Sequence, residues 1–183
     1  MNSGWFKALL TVLFTAAVIA ALGLSSCHEG SKYVMDSSSM SPTIKRGEIV
    51  LTKPFSSNRD TIQRYDLIVF RSPIDTQAKW IMRVVGLPGE SIAISTNTLL
   101  INGVELPMDS MPTALRQKSW LTRQLQESST PRQWNLTSEE VFVVGDNLDN
   151  VNDSRYWGPL KLSMITGVVL NVRARWGVKI VGP

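Results

Sequence analysis

The chain has one cysteine and one histidine among 183 residues. A single thiol, Cys27, excludes an intrachain disulfide, and Cys27 with His28 is too small a set to hold zinc in the usual Cys/His manner. Charge is sparse: Asp, Glu, Lys and Arg make up 19% of the residues. The formal net charge of +4 is spread along the chain, with no Lys/Arg run interleaved with aromatics, so no nucleic-acid partner is expected. Internal repeats are absent too. What is present is apolar: 43% of the residues are hydrophobic, enough for one substantial core that must be stabilised by packing.

The hydrophobic residues are unevenly placed. After Lys7, residues 8–24 carry no charge, a stretch at the lower limit of a spanning helix and equally compatible with a long secretory signal. Lys7 and the terminal amine precede it, which predicts an amino terminus inside and the remaining chain exported. The run Leu24-Ser25-Ser26-Cys27 resembles the bacterial lipobox, in which the cysteine is lipidated and becomes the new amino terminus. Residues 1–27 are therefore expected to be either a retained membrane anchor or a lipoprotein-type signal ending at Cys27. His28 is read as a solvated juxtamembrane residue.

From residue 33 to 183 the apolar residues fall in short β-rich runs separated by turn residues, at 48–52, 66–70, 80–85, 140–144 and 167–176. The segment 98–106 carries Asn102-Gly103, whose two positive φ angles suit a type I′ hairpin turn. A mainly β, partly closed barrel or sandwich is expected, with helix a minority component. Polarity rises around 108–139. That stretch reads as an insertion, either a short helix or flap or, preferred here, a solvated loop.

Four blocks follow one another in an informative order. The first is Ser37-Ser38-Ser39-Met40-Ser41-Pro42-Thr43, the second Arg64-Tyr65-Asp66 with an apolar strand behind it, and the third Met82-Arg83-Val84-Val85-Gly86-Leu87-Pro88-Gly89-Glu90. The fourth runs Gly145-Asp146-Asn147-Leu148-Asp149 and, after three more residues, Asp153-Ser154-Arg155. Together they resemble the type I signal peptidases, serine proteases that use a lysine as base. The resemblance implies a β domain of that family's kind, Ser39 as nucleophile, and Ser37 as donor to the oxyanion beside the Ser39 N–H. It also implies structural roles for Met40, Pro42 and Asp66, a tight turn at Gly86, Pro88 and Gly89, and loop-ordering ion pairs through Arg83, Asp146, Asp153 and Arg155, with Gly145, Asn147 and Ser154 in the same block. Its substrates would be signal peptides of exported preproteins, cleaved after small residues on the exported face of the cytoplasmic membrane, with membrane lipid as the other partner and no cofactor.

The chain departs from that pattern at the base. A serine hydroxyl needs a base to take its proton, and a lysine serves at neutral pH when apolar burial lowers its pKa. Where the family carries that lysine this chain has Met82, whose thioether fills a lysine-shaped slot without a proton-accepting amine. Tyr65 stands where the family has glycine, Leu148 replaces a frequent arginine and Val151 a serine. Lys79, three positions before Met82, faces the other side of a regular strand, as does Arg83, which also stays protonated. No histidine follows His28, so a Ser-His-Asp arrangement is excluded. Two readings stand: a signal-peptidase-type endopeptidase, and a pseudoprotease that keeps the peptide groove but binds or regulates.

Overall fold

Continuous apolar runs of four to six residues suit strands buried on both faces, and they occupy the centre of the molecule. The computed structural model describes residues 30–95, 98–116, 120, 132–149, 152–174 and 177–179. The expectations placed on residues 1–28 and on Val151 lie outside them. Among the described residues no helix is long and apolar enough to cross a membrane.

The strands are β1 (Lys32–Val34), β2 (Ile49–Pro54), β3 (Leu67–Arg71), β4 (Lys79–Gly86), β5 (Ser91–Ile94), β6 (Leu99–Ile101), β7 (Val104–Glu105), β8 (Gln133–Asn135), β9 (Glu140–Val144), β10 (Leu160–Lys161), β11 (Ile165–Ala174) and β12 (Gly177–Lys179). They form two antiparallel sheets. The larger runs β1-β2-β11-β3-β4-β9-β10 with β12 beside β11, and the smaller runs β7-β6-β5-β8. One short helix, α1 (Ser154–Trp157), follows β9.

Strand alternation sorts the core into layers. Ile68, Phe70, Met82 and Val84 face one apolar cluster, whereas Leu67, Val69 and Ile81 face another with Met35, Met40, Ile44 and Val50. The hairpin forms as expected: Asn102 and Gly103 have φ of 52° and 78°, and Ile101 pairs with Val104 across them.

The expectation of a solvated loop around 108–139 needs correction for its described part. It contains two 3-10 turns, Met108–Ser110 and Thr113–Leu115, and Met111, Leu115 and Trp120 are buried in a cluster with Ile92, Leu99 and Phe142. The reason is that the small sheet has an apolar face to cover, and irregularly spaced side chains cover it without any helical period.

Tyr65 shows a local conflict. Its φ is 73°, its N–H donates to the Val84 carbonyl at 2.8 Å, and its ring packs on the small-sheet cluster. Its hydroxyl is buried with no hydrogen-bond partner among the described residues. Tyr65→Phe removes that unmet group and leaves the ring in place, so we expect a gain of ~1 kcal/mol in urea unfolding. A loss of stability would mean that the hydroxyl is bonded.

Candidate active site

The loop after β1 is held at both ends. The Met35 N–H donates to the Glu48 carbonyl at 2.9 Å, the Gly47 N–H to the Met35 carbonyl at 2.7 Å, and the Met40 side chain is fully buried. Between these anchors, the Asn147 N–H donates to the Ser39 carbonyl at 2.9 Å and the Asn147 amide to the Ser38 carbonyl at 3.3 Å. The fourth sequence block thus grips the first directly. Thus held, the hydroxyls of Ser37 and Ser39 lie 3.0 Å apart. They open on a groove of about 800 Å³ whose walls include Lys79, Trp80, Met82 and Tyr156.

Met82 reaches this groove from the apolar side of β4. It is 3% exposed and packs with Ile68, Phe70 and Val84. Lys79, Ile81 and Arg83 take the opposite face, as alternation requires. The Lys79 amine donates to the Tyr33 hydroxyl at 3.1 Å and lies 5.0 Å from the centre of that ring. Burial pushes the Tyr33 phenol up, but hydrogen bonds from Lys79, Ser31 and Thr166 and the Lys79 charge outweigh it and hold the phenol below its ordinary range.

The remaining motif residues build the frame. Arg83 and Asp146 form a buried two-pronged pair, Nε to Oδ1 and Nη2 to Oδ2, both at 2.7 Å, and Arg83 Nη1 donates to the Tyr65 carbonyl at 2.9 Å. Asp153 receives Arg155 Nε at 2.9 Å and the Gly145 N–H at 3.1 Å, and caps α1 through the Arg155 N–H. Ser154 accepts from the Val143 N–H at 3.1 Å. None of Arg83, Asp146, Asp153 or Arg155 is among the groove-lining residues. Asp66 accepts from the Gln63 N–H at 2.9 Å and closes a turn. A side chain on Gly86 would meet Ile92 and Phe142 at under 3 Å, and Gly89, with φ of 80°, turns the chain after Pro88. Pro42 follows Ser41 through a cis peptide bond.

Sequence reasoning missed two partnerships. Arg64 and Glu90 form a forked pair at 3.0 and 2.6 Å, with Glu90 also receiving the Leu87 N–H at 2.7 Å. The opposite charges of the second and third blocks were a usable signal for it. Tyr33 beside Lys79 was not legible, because 46 residues separate them and nothing local joins them.

Residues 4–173 match the family described as signal peptidase, peptidase S26. Signal peptidase I V of Bacillus subtilis is 32% identical over 139 residues, covering 75% of this chain and 82% of that one. Signal peptidase I of Pseudomonas fluorescens is 31% identical over 180 residues, covering 82% of this chain but only 61% of that enzyme. A solved signal peptidase I from Enterococcus faecalis, 31% identical, overlaps 60% of this chain and 97% of that one with a TM-score of 0.45. The chain belongs to the signal peptidase family.

Proposed function

We propose that the chain is a membrane-tethered serine endopeptidase of the signal peptidase I type, cleaving signal peptides from exported preproteins after small residues with Ser39 as nucleophile. The observation that carries this reading is the pair of hydroxyls on Ser37 and Ser39, 3.0 Å apart, at a groove of about 800 Å³. A groove of that size accepts an extended peptide segment, with backbone hydrogen bonds giving affinity and side-chain pockets giving selection. In the reaction, Ser39 Oγ attacks the scissile carbonyl carbon as its proton passes to a base. The Ser39 N–H and the Ser37 hydroxyl stabilise the oxyanion, the C–N bond breaks with proton return to the amine, and water then hydrolyses the acyl-enzyme.

On this reading Met82 stands at the base position, and turnover is slow for want of an amine there. Residues 1–27 tether the domain to lipid on the exported side of the cytoplasmic membrane, as a retained anchor or through lipid on Cys27. Met82 is also the observation that favours the second reading, a pseudoprotease that holds the peptide without cutting it.

A serine-directed fluorophosphonate, followed by intact-protein mass, tests the choice on the full chain in lipid vesicles. We expect one adduct, on Ser39, absent from Ser39→Ala, while both proteins bind a peptide with a small-x-small site. Peptide binding without an adduct supports the pseudoprotease; failure of both proteins to bind it sinks both readings.

A further inference from the structure

Met82 leaves the two serines without an amine on the apolar side of β4, but the opposite side of the same strand supplies one. Lys79 lines the groove with Ser37 and Ser39, and a second cavity of about 120 Å³ is lined by Tyr33, Ser37, Ser39 and Lys79 while leaving Met82 out. The serine pair and the Lys79–Tyr33 pair thus share one small space. The geometry points to the hydrogen-bonded Lys79–Tyr33 pair as the group that takes the Ser39 proton, giving this chain a slow peptidase activity approached from the strand face opposite Met82. This rests on Ser39 being the nucleophile.

Lys79 Nζ lies 3.1 Å from Tyr33 Oη, and its hydrogen bond and charge stabilise the phenolate, the form that takes up the Ser39 proton. The Ser39 O–H bond breaks as its oxygen bonds to the carbonyl carbon, directly or with one water carrying the proton across the cavity. The same proton then goes to the leaving amine as the C–N bond breaks. The low Tyr33 phenol is consistent with a pair that reaches its basic form more readily than an isolated phenol does. Lys79 is exposed, so water reaches the pair and the proton transfer is not shielded from solvent, which keeps the activity weak.

Steady-state cleavage of a small-x-small peptide by the full chain in vesicles tests the assignment. Lys79→Met and Tyr33→Phe should each lower kcat about tenfold or more with KM within ~3-fold, whereas the surface control Lys161→Met should leave both unchanged. In a Met82→Lys background the Lys79→Met loss should be at least several-fold smaller, because the new amine takes over the proton. A purely structural role for Lys79 would cost the same in both backgrounds, and that result overturns the proposal. Ser39-dependent cleavage that ignores both variants overturns it while leaving Ser39 as nucleophile. A native chain with no Ser39-dependent cleavage overturns it too; if Met82→Lys is then active, Ser39 keeps its place as nucleophile and the pseudoprotease reading of the native chain stands, and if that variant is also inactive, the nucleophile assignment falls with the proposal.

Discussion

Met82→Lys increases the rate of peptide cleavage ~10²–10⁴-fold over the native chain, the range a positioned general base contributes. Methionine and the lysine stem are both unbranched and alike in length, so the new side chain can follow the old one along the wall formed with Phe70 and Val84 and present its amine to the groove. At 3% exposure, position 82 withholds water from an amine, and desolvation disfavours the charged ammonium, which brings its pKa down toward the working pH. The same desolvation costs stability, so a melting curve of the variant belongs beside the kinetics. A folded variant that binds the peptide yet cleaves no faster than the native chain would show that position 82 does not face the reacting hydroxyl. The rate gain should vanish in Met82→Lys with Ser39→Ala.

How much of this was legible depended on the range of the interaction. Strands β3, β4 and β9 are each a local apolar run, and the hairpin at Asn102-Gly103 is dictated by two φ angles, so neighbouring residues carried the information. The opposition of Lys79 and Met82 across β4 followed from alternation alone. Burial of Leu115 and Trp120 did not follow from anything local. It depends on the uncovered face of the small sheet, which exists only once β5, β6 and β8 have paired. The serine pair was named from its motif, but its support by Asn147 joins positions more than a hundred residues apart, and the cavity it shares with Lys79 and Tyr33 joins residues 46 apart in sequence. Residue types were readable; the distances between them required the sheet.

Asp153→Ala should cost ~3–5 kcal/mol of unfolding free energy, much of the ~5–15 kcal/mol that holds a domain together. Asp153 and Arg155 are both fully buried, and the guanidinium is held by the carboxylate, by the Leu148 carbonyl at 2.8 Å and by the Trp120 carbonyl at 3.2 Å. Removing the carboxylate strands a charge in the interior, frees the Gly145 N–H and takes away the cap of α1. Replacing both members, as Asp153→Ala with Arg155→Met, should recover part of the loss, because the penalty comes from an unpaired charge more than from a missing attraction. Urea unfolding of the three proteins measures this, and a single variant within ~1 kcal/mol of native would refute it. The effect should also reach the site. Gly145 leads into Asn147, whose N–H fixes the Ser39 carbonyl, and Arg155 ties the 148 loop to Trp120 in the insertion. At a temperature where Asp153→Ala is still folded, the fluorophosphonate should therefore label Ser39 more slowly than in the native chain, although residue 153 is not part of the groove wall. Unchanged labelling in a destabilised but folded variant would mean that the serine loop is held by Met40 and the Glu48 contacts alone.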